Sequence, residues 1–227
     1  MKTFVYVDGF NLYYAIRRTP YKWLELAALC RRILPSHDIV RIKYFTARVH
    51  PRPQDPGQGI RQASYLRALQ TIPNLEIHEG HFVSHRKWST LAPAEAEQTS
   101  LARMANDGTW EFLPVPEGAN RAYVWRTDEK GSDVNLASHL LRDGFRHEYE
   151  LAVVISNDSD LAGPIRMVRL ELDVPVGVLN PHTRYPSGEL HEVAAFQLPI
   201  WPRSLKACQF PSHLQDAIGT FHKPPEW

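Results

Sequence analysis

Short runs that are apolar throughout alternate along this chain with longer stretches whose apolar positions fall three or four residues apart. The first run, "TFVYVD" (3–8), is β-branched and aromatic and stops at Asp8-Gly9, which predicts a strand. "NLYYAIRR" and "KWLELAALCRRIL" carry helical spacing, the second ending before Pro35. "IVRIKYFTARV" (39–49) predicts a second strand, followed by a Pro/Gly-rich loop, "HPRPQDPGQG". "IRQASYLRALQTI" (60–72) predicts an amphipathic helix turning Ile60, Tyr65, Leu66, Leu69 and Ile72 to a core, and "LEIHEGHFV" (75–83) a third strand.

Residues 84–121 break this rhythm and predict a loop insertion with a short helix over 93–105. Order returns with "AYVWRTDEKGSDVNLASHLLRDGF", an extended segment leading into a helix that starts near Ser132 or Asp133. "LAVVIS" has the composition of a strand buried on both faces. A helix through "LAGPIRMVRLEL", interrupted early by Pro164, and a strand "VPVGVLN" (174–180) follow. From Pro181 on, the chain is rich in Pro, His and aromatics and is expected to pack across the domain, ending in a loose tail at "HKPPEW". The alternation implies an α/β fold: βαβ crossovers and a mainly parallel sheet with helices on both faces. The expected organisation is one unit over residues 1–200, carrying the 84–121 insertion, and a C-terminal extension over 201–227.

Composition narrows the function classes. With 227 residues, 43% hydrophobic and 22% charged, the chain can bury a sizeable core and is not of the disordered class. A net charge of +1 rules out coating nucleic acid by overall charge, so any such contact must come from a local patch. Two cysteines, Cys30 and Cys208, are too few for a cysteine zinc site and point to a reducing compartment. "MKTFVYVDGF" turns polar too soon for a signal peptide, and no apolar run approaches the length of a membrane span. A cytoplasmic protein with no membrane partner is expected, and a homo-oligomer is left open.

Chemistry concentrates where strands end. Asp8 ends the first strand, Asp158 and Asp160 follow "LAVVIS", and Asp133 opens the helix just before it. Each acid has an ordinary reading: Asp8-Gly9 as a turn, and Asp133 or Asp160 as a helix cap or first-turn acid. Asp158 is harder to explain so, because a second acid beside a capping acid adds repulsion without a cap. If the first and "LAVVIS" strands are neighbours, the four carboxylates converge on one edge of the sheet. There they repel one another, and a hard divalent cation, Mg²⁺ or Mn²⁺, removes the conflict.

The segments "FVYVDGFNLYY", "EKGSDVNLASHLL" and "LAVVISNDSDLAGPI" resemble the three signature segments of the NYN domain family, PIN-like proteins related to the PIN and FLAP nuclease folds. The first matches Asp-Gly-x-Asn (Asp8, Asn11), the second Lys-Gly-x-Asp (Lys130, Asp133), the third Ser-(Gly/Asn)-Asp-x-Asp (Ser156, Asp158, Asp160). The match runs over roughly residues 3–180. The resemblance implies a Rossmann-like PIN domain acting as a metal-dependent ribonuclease on single-stranded or structured RNA, most simply an endoribonuclease. Asp8, Asp133, Asp158 and Asp160 would be metal ligands, and Asn11 would orient water or phosphate. Ser156 and Asn157 would hydrogen-bond the carboxylates, and one or two Mg²⁺ or Mn²⁺ ions would serve as cofactor. Lys130, Arg41, Lys43 and Arg48 are candidate substrate contacts, with Arg17 and Arg18 ending the first helix. Tyr13, Tyr14, Tyr44 and Phe45 are either base-stacking or core residues. His50, His78, His81 and His85 match no zinc spacing. The insertion is longer than expected of a minimal family member.

The alternative from another class is a non-catalytic RNA-binding or regulatory module that keeps the fold. A HAD-type phosphatase is disfavoured because Phe10 stands where its second Asp belongs, and a dinucleotide-binding enzyme because no G-x-G-x-x-G follows the first strand.

Overall fold

Six parallel strands form the central sheet of the computed structural model, which describes residues 1–51, 55–90, 101–104, 110–113 and 120–227. In chain order the elements are β1 (Lys2–Asp8), α1 (Gly9–Ile16), α2 (Leu26–Ile33), β2 (Asp38–Thr46), α3 (Gln58–Leu69), β3 (Leu75–Glu79), β4 (His81–Thr90), β5 (Leu101–Met104), β6 (Trp110–Leu113) and β7 (Arg121–Lys130). They continue as α4 (Ser132–Phe145), β8 (Leu151–Ile155), α5 (Ala162–Glu171), β9 (Val176–Asn180), α6 (Gly188–Val193), β10 (Phe196–Pro199), α7 (Pro202–Ala207), β11 (His213–Asp216) and β12 (Gly219–His222). The sheet order is β10-β9-β8-β1-β2-β3, so the chain runs outward from β1 on one side and from β8 on the other. β1 and β8 are therefore the switch point where order reverses, and the crevice beyond their carboxyl ends is the ligand position of such a sheet.

Two apolar layers sandwich this sheet. Val5 and Val7 face Leu12, Ile16, Leu29, Leu66 and Leu69, on the side of α1, α2 and α3. Phe4 and Tyr6 face Leu136, Leu140, Ile165 and Val168, on the side of α4 and α5. Burial of both faces is why β1, β8 and β9 read as continuous apolar runs rather than alternating ones. Each fully buried Val or Leu among them contributes about 1.5–3 kcal/mol of transfer free energy.

Several elements differ from what the sequence predicts. α2 begins only at Leu26, because the Glu25 carboxylate caps the N–H groups of Ala27 (3.0 Å) and Ala28 (2.5 Å). Ile60 is 75% exposed rather than in the core, since α3 starts at Gln58 and puts Ile60 on its outer face. Pro164 does not interrupt α5. It sits in the first turn, where its missing N–H is one the helix leaves unbonded anyway.

The predicted third strand over 75–83 breaks at Gly80. β3 stays in the sheet, whereas β4 leaves it to pair antiparallel with β7 from His81↔Lys130 to Thr90↔Arg121. The 84–121 insertion is thus in part a β-ribbon and not a loop, and Leu101–Met104, predicted helical, is a strand paired with β6. The remainder of the helix expected over 93–105 lies outside the described residues. The predicted loose tail is also corrected: Trp227 packs edge-on against Trp23 (6.3 Å between centroids) and beside Tyr65 (5.5 Å). Among the described residues no helix is long and apolar enough to cross a membrane.

Candidate metal centre and its chamber

Local chain geometry sets each acid in place. Asp8, the last residue of β1, caps α1 by accepting the Asn11 N–H at 2.9 Å. Gly9 follows because the Tyr44 ring and the Phe45 carbonyl press so close that a Cβ there would lie 2.6–2.7 Å from their atoms. Gly131, at φ +100°, turns the chain out of β7 directly into α4, which presents Asp133 in its first turn. The Glu129 carboxylate accepts from Ser132 N–H (3.0 Å) and Oγ (2.8 Å), fixing that helix start. After β8, Asp158 accepts the Asp160 N–H at 3.0 Å and caps a single 3₁₀ turn over Ser159–Leu161.

The result is a convergence of three carboxylates. Oxygens of Asp8, Asp133 and Asp158 all lie within 4.8 Å of one another. Asp8 is 4% exposed. Burial and the Asp158 charge push its carboxyl above the usual range, against hydrogen bonds from Asn11 and Ser156. Asp133 is pushed up to about 6 by partial desolvation and by Asp8, Asp158, Glu129 and Asp160. Three hard oxygen donors that raise one another's proton affinity suit a hard dication, which would relieve the repulsion that protonation otherwise relieves.

Around them the candidate residues divide. Ser156 Oγ donates to Asp8 Oδ2 at 2.9 Å and accepts the Asp158 N–H at 3.0 Å, tying two of the acids together. Asn11 Oδ1 accepts the Asn157 N–H at 3.0 Å, joining α1 to the loop after β8. Asn157 does not hydrogen-bond the carboxylates. Its side chain instead receives Ser187 N–H (2.7 Å) and donates to the Tyr185 carbonyl (2.8 Å), latching the segment after β9. Asp160 stands outside the group of three, exposed, near enough to add to the Asp133 shift. The capping acid of this turn is therefore Asp158, which the sequence reading had found hard to explain.

Of the basic candidates, Lys43 is placed where no substrate reaches. It is buried under α4 and paired with Asp143 at 2.5 Å. Arg41 pairs with Glu76 (3.3 Å) and lies over the Phe4 ring, in mid-strand rather than at the edge. Arg48 pairs with Glu79 at 2.6 Å, beyond the end of β2. Lys130 is exposed at the end of β7. Arg17 and Arg18 share a surface depression with Lys22 and Arg61. Phe45 is core, its ring against His78 and His139.

A chamber of about 450 Å³ opens beside the three acids. Its lining includes Phe10, Tyr13 and Tyr14 of α1, Tyr44 of β2, Tyr65 of α3, and Trp227. The sequence reading missed Glu129, Phe82 and Trp227 as lining residues. For Glu129 a signal existed, an acid four residues before Asp133 in "EKGSD". For Phe82 and Trp227 none did, since only tertiary packing brings them here.

The sequence model of the NYN domain matches residues 2–198. The chain belongs to the NYN domain family. Among similar proteins, 6-hydroxy-3-succinoylpyridine 3-monooxygenase HspA of Pseudomonas putida is 31% identical over 254 aligned residues, spanning 100% of this chain and 75% of that protein. The crystal structure of a Vibrio parahaemolyticus protein of unknown function superposes with a TM-score of 0.54 at 13% identity, over 88% of this chain and 94% of that one. It shares the fold. In this NYN chain the family match ends before α7, β11 and β12, so Trp227 reaches the chamber from outside the matched region.

Proposed function

We propose that this NYN protein is a metal-dependent nuclease that hydrolyses phosphodiester bonds in RNA. The observation that supports this reading most is the convergence of Asp8, Asp133 and Asp158 within 4.8 Å at the switch point of the sheet, in a chain of a PIN-like nuclease family. Asp8, Asp133 and Asp158 would hold Mg²⁺ or Mn²⁺, and Asp160 would assist from the outer side. The bound ion would supply a water activated near neutral pH and positive charge against the scissile phosphate. Ser156 keeps the Asp8 and Asp158 carboxylates in register. Asn11, whose Oδ1 is taken by the Asn157 N–H, has its NH₂ for a phosphate oxygen. Lys130, exposed at the end of β7, would meet a flanking phosphate as a point charge, and Arg48, beyond β2 and paired with Glu79, would do so through its guanidinium. The test is incubation of labelled RNA with Mn²⁺ or Mg²⁺ beside the Asp8→Asn and Asp158→Asn proteins. Metal-dependent cutting by the parent alone supports the nuclease; RNA binding without cutting in either metal moves the protein to the RNA-binding class.

A second reading starts from the Pseudomonas putida relative, whose name gives it a pyridine as substrate. The aromatic lining of the chamber favours it, since a single ring fits in about 450 Å³. Hydroxylation would need dioxygen and an external reductant. Reductant consumption that depends on an added hydroxypyridine acid, with RNA left intact, would select this reading over the nuclease.

A further inference from the structure

We propose that the chamber beside the carboxylates is a nucleobase pocket, which seats the base of an unpaired nucleotide adjoining the scissile phosphate and has Trp227 as its end wall. The proposal rests on the nuclease reading for its substrate.

The first argument is Tyr44. It is 5% exposed and lines the chamber, and its hydroxyl makes no hydrogen bond among the described residues. Burial and the nearby Asp8 charge hold the phenol protonated, so the chamber is offered an O–H donor without an acceptor. A ligand acceptor in the chamber would gain a directed hydrogen bond from a donor that no described protein group engages. Three other polar side chains of the lining are engaged within the protein. Gln62 donates to the Ala47 carbonyl and accepts the Val49 N–H, Gln58 bonds the His50 carbonyl, and Arg61 pairs with Asp55. A phenol donor without a partner among the described residues, beside the rings of Tyr65 and Trp227, matches a flat ring with a polar edge. The carbonyl oxygens and ring nitrogens of nucleobases are acceptors of that kind.

The second argument is the part of the wall formed by Trp227. The Trp227 indole is held beside Tyr65, and the Lys22 ammonium lies 5.9 Å from its ring centroid while donating to the Glu226 carbonyl. The segment that carries it is pinned to the main domain. Arg67 grips Asp216 through two hydrogen bonds of 2.7 Å and lies 4.2 Å from the Phe221 ring centroid, and Trp23 Nε1 donates to the Pro211 carbonyl. This rigid anchoring gives a stacking surface that loses little freedom on binding. A neutral base also suits a chamber that ends at three carboxylates better than an anionic ligand would. Trp227 also borders a depression in which Arg17, Arg18, Lys22 and Arg61 outnumber Asp55 and Glu226, and there the next phosphate of a strand would lie.

The experiment titrates the full chain with adenosine, guanosine, cytidine and uridine, which carry no phosphate, in the presence of a metal chelator, and reads affinity by calorimetry. The expected result is saturable binding of at least one nucleoside, weakened about 5-fold or more in Trp227→Ala and largely restored in Trp227→Phe. Tyr44→Phe is expected to weaken those nucleosides whose edge accepts its hydrogen bond, with the thermal midpoint unchanged. Absence of nucleoside binding by the parent protein, or equal affinity in a folded Trp227→Ala protein, overturns the pocket. Because no metal is present, nucleoside binding beside a failure to cut RNA would remove the nuclease reading and keep the pocket. RNA cutting without nucleoside binding does the reverse.

Discussion

α4 carries two aspartates ten residues apart in the numbering, exposed Asp133 in its first turn and buried Asp143 near its end, and they have opposite fates. Asp143 is fully buried, and burial alone would raise its pKa. Instead Lys43 (2.5 Å), the Tyr6 hydroxyl (2.7 Å) and the Arg142 guanidinium (2.8 Å) hold it below the usual carboxylate range. Asp133 is far more exposed yet is pushed up to about 6, by partial desolvation first and then by the carboxylates around it, with no counter-charge among the causes. One acid has been given its counter-charges by the chain, and the other is set among like charges. The difference separates a carboxylate paired within the fold from one that the proposed ion would pair, and burial by itself would have ranked them the wrong way round.

The comparison can be broken by exchanging the roles. Asp8→Asn and Asp158→Asn are expected to lower metal-dependent RNA cleavage by about 10³-fold or more, since each removes an oxygen ligand, while leaving urea stability equal or higher because repulsion is relieved. A cleavage assay and an unfolding curve on the same samples check this; a large stability loss would mean the acids are structural. Lys43→Met is expected to do the opposite. Taking the buried ammonium from Asp143, which keeps Arg142 and the Tyr6 hydroxyl, costs up to about 3 kcal/mol, read as a lower urea midpoint, with residual activity tracking only the folded fraction.

Added Mn²⁺ should sharpen the contrast. At a concentration about 100 times its Kd it would raise the unfolding free energy by about 2.7 kcal/mol, an increment absent from Asp8→Asn and retained where Asp143 is perturbed. Ser156→Ala, which unties Asp8 from Asp158, is expected to weaken Mn²⁺ binding by about 10–100-fold in calorimetry without moving the thermal midpoint far. The smallest effect is in pH. Asp133 has a folded pKa above its unfolded one, so the folded state holds its proton longer than the unfolded state does. The stability from this group is present below pH 3.8 and is lost as pH rises through about 6, in metal-free protein. Mn²⁺ affinity should rise over the same interval as the competing proton leaves. Titrating metal affinity at pH 5 and 7 checks the sign.

Much of this site was legible in the chain because its acids sit at element boundaries. Asp8 ends an apolar run, Asp133 follows a glycine into a helix, and Asp158 follows the most apolar strand, so their proximity needed only that β1 and β8 be neighbours. The ribbon was not legible. β4 and β7 are separated by the long insertion and are stabilised by pairing with each other, not by an apolar pattern facing a common core. Lys43 misled for a related reason: a lysine on a strand looks solvent-bound until the helix carrying Asp143, 100 residues later, covers it.

The sequence by itself determined the alternation of strand and helix, the layers on both faces of the sheet and the acids at the strand ends. All of these follow from local propensity and hydrophobic period, which act over a few residues. Tertiary structure alone decided which charges are compensated, which phenol lacks a partner and that Trp227 reaches the chamber. Charge pairing, hydrogen bonding and desolvation depend on distances between residues far apart in the chain, and only the packed fold fixes those distances.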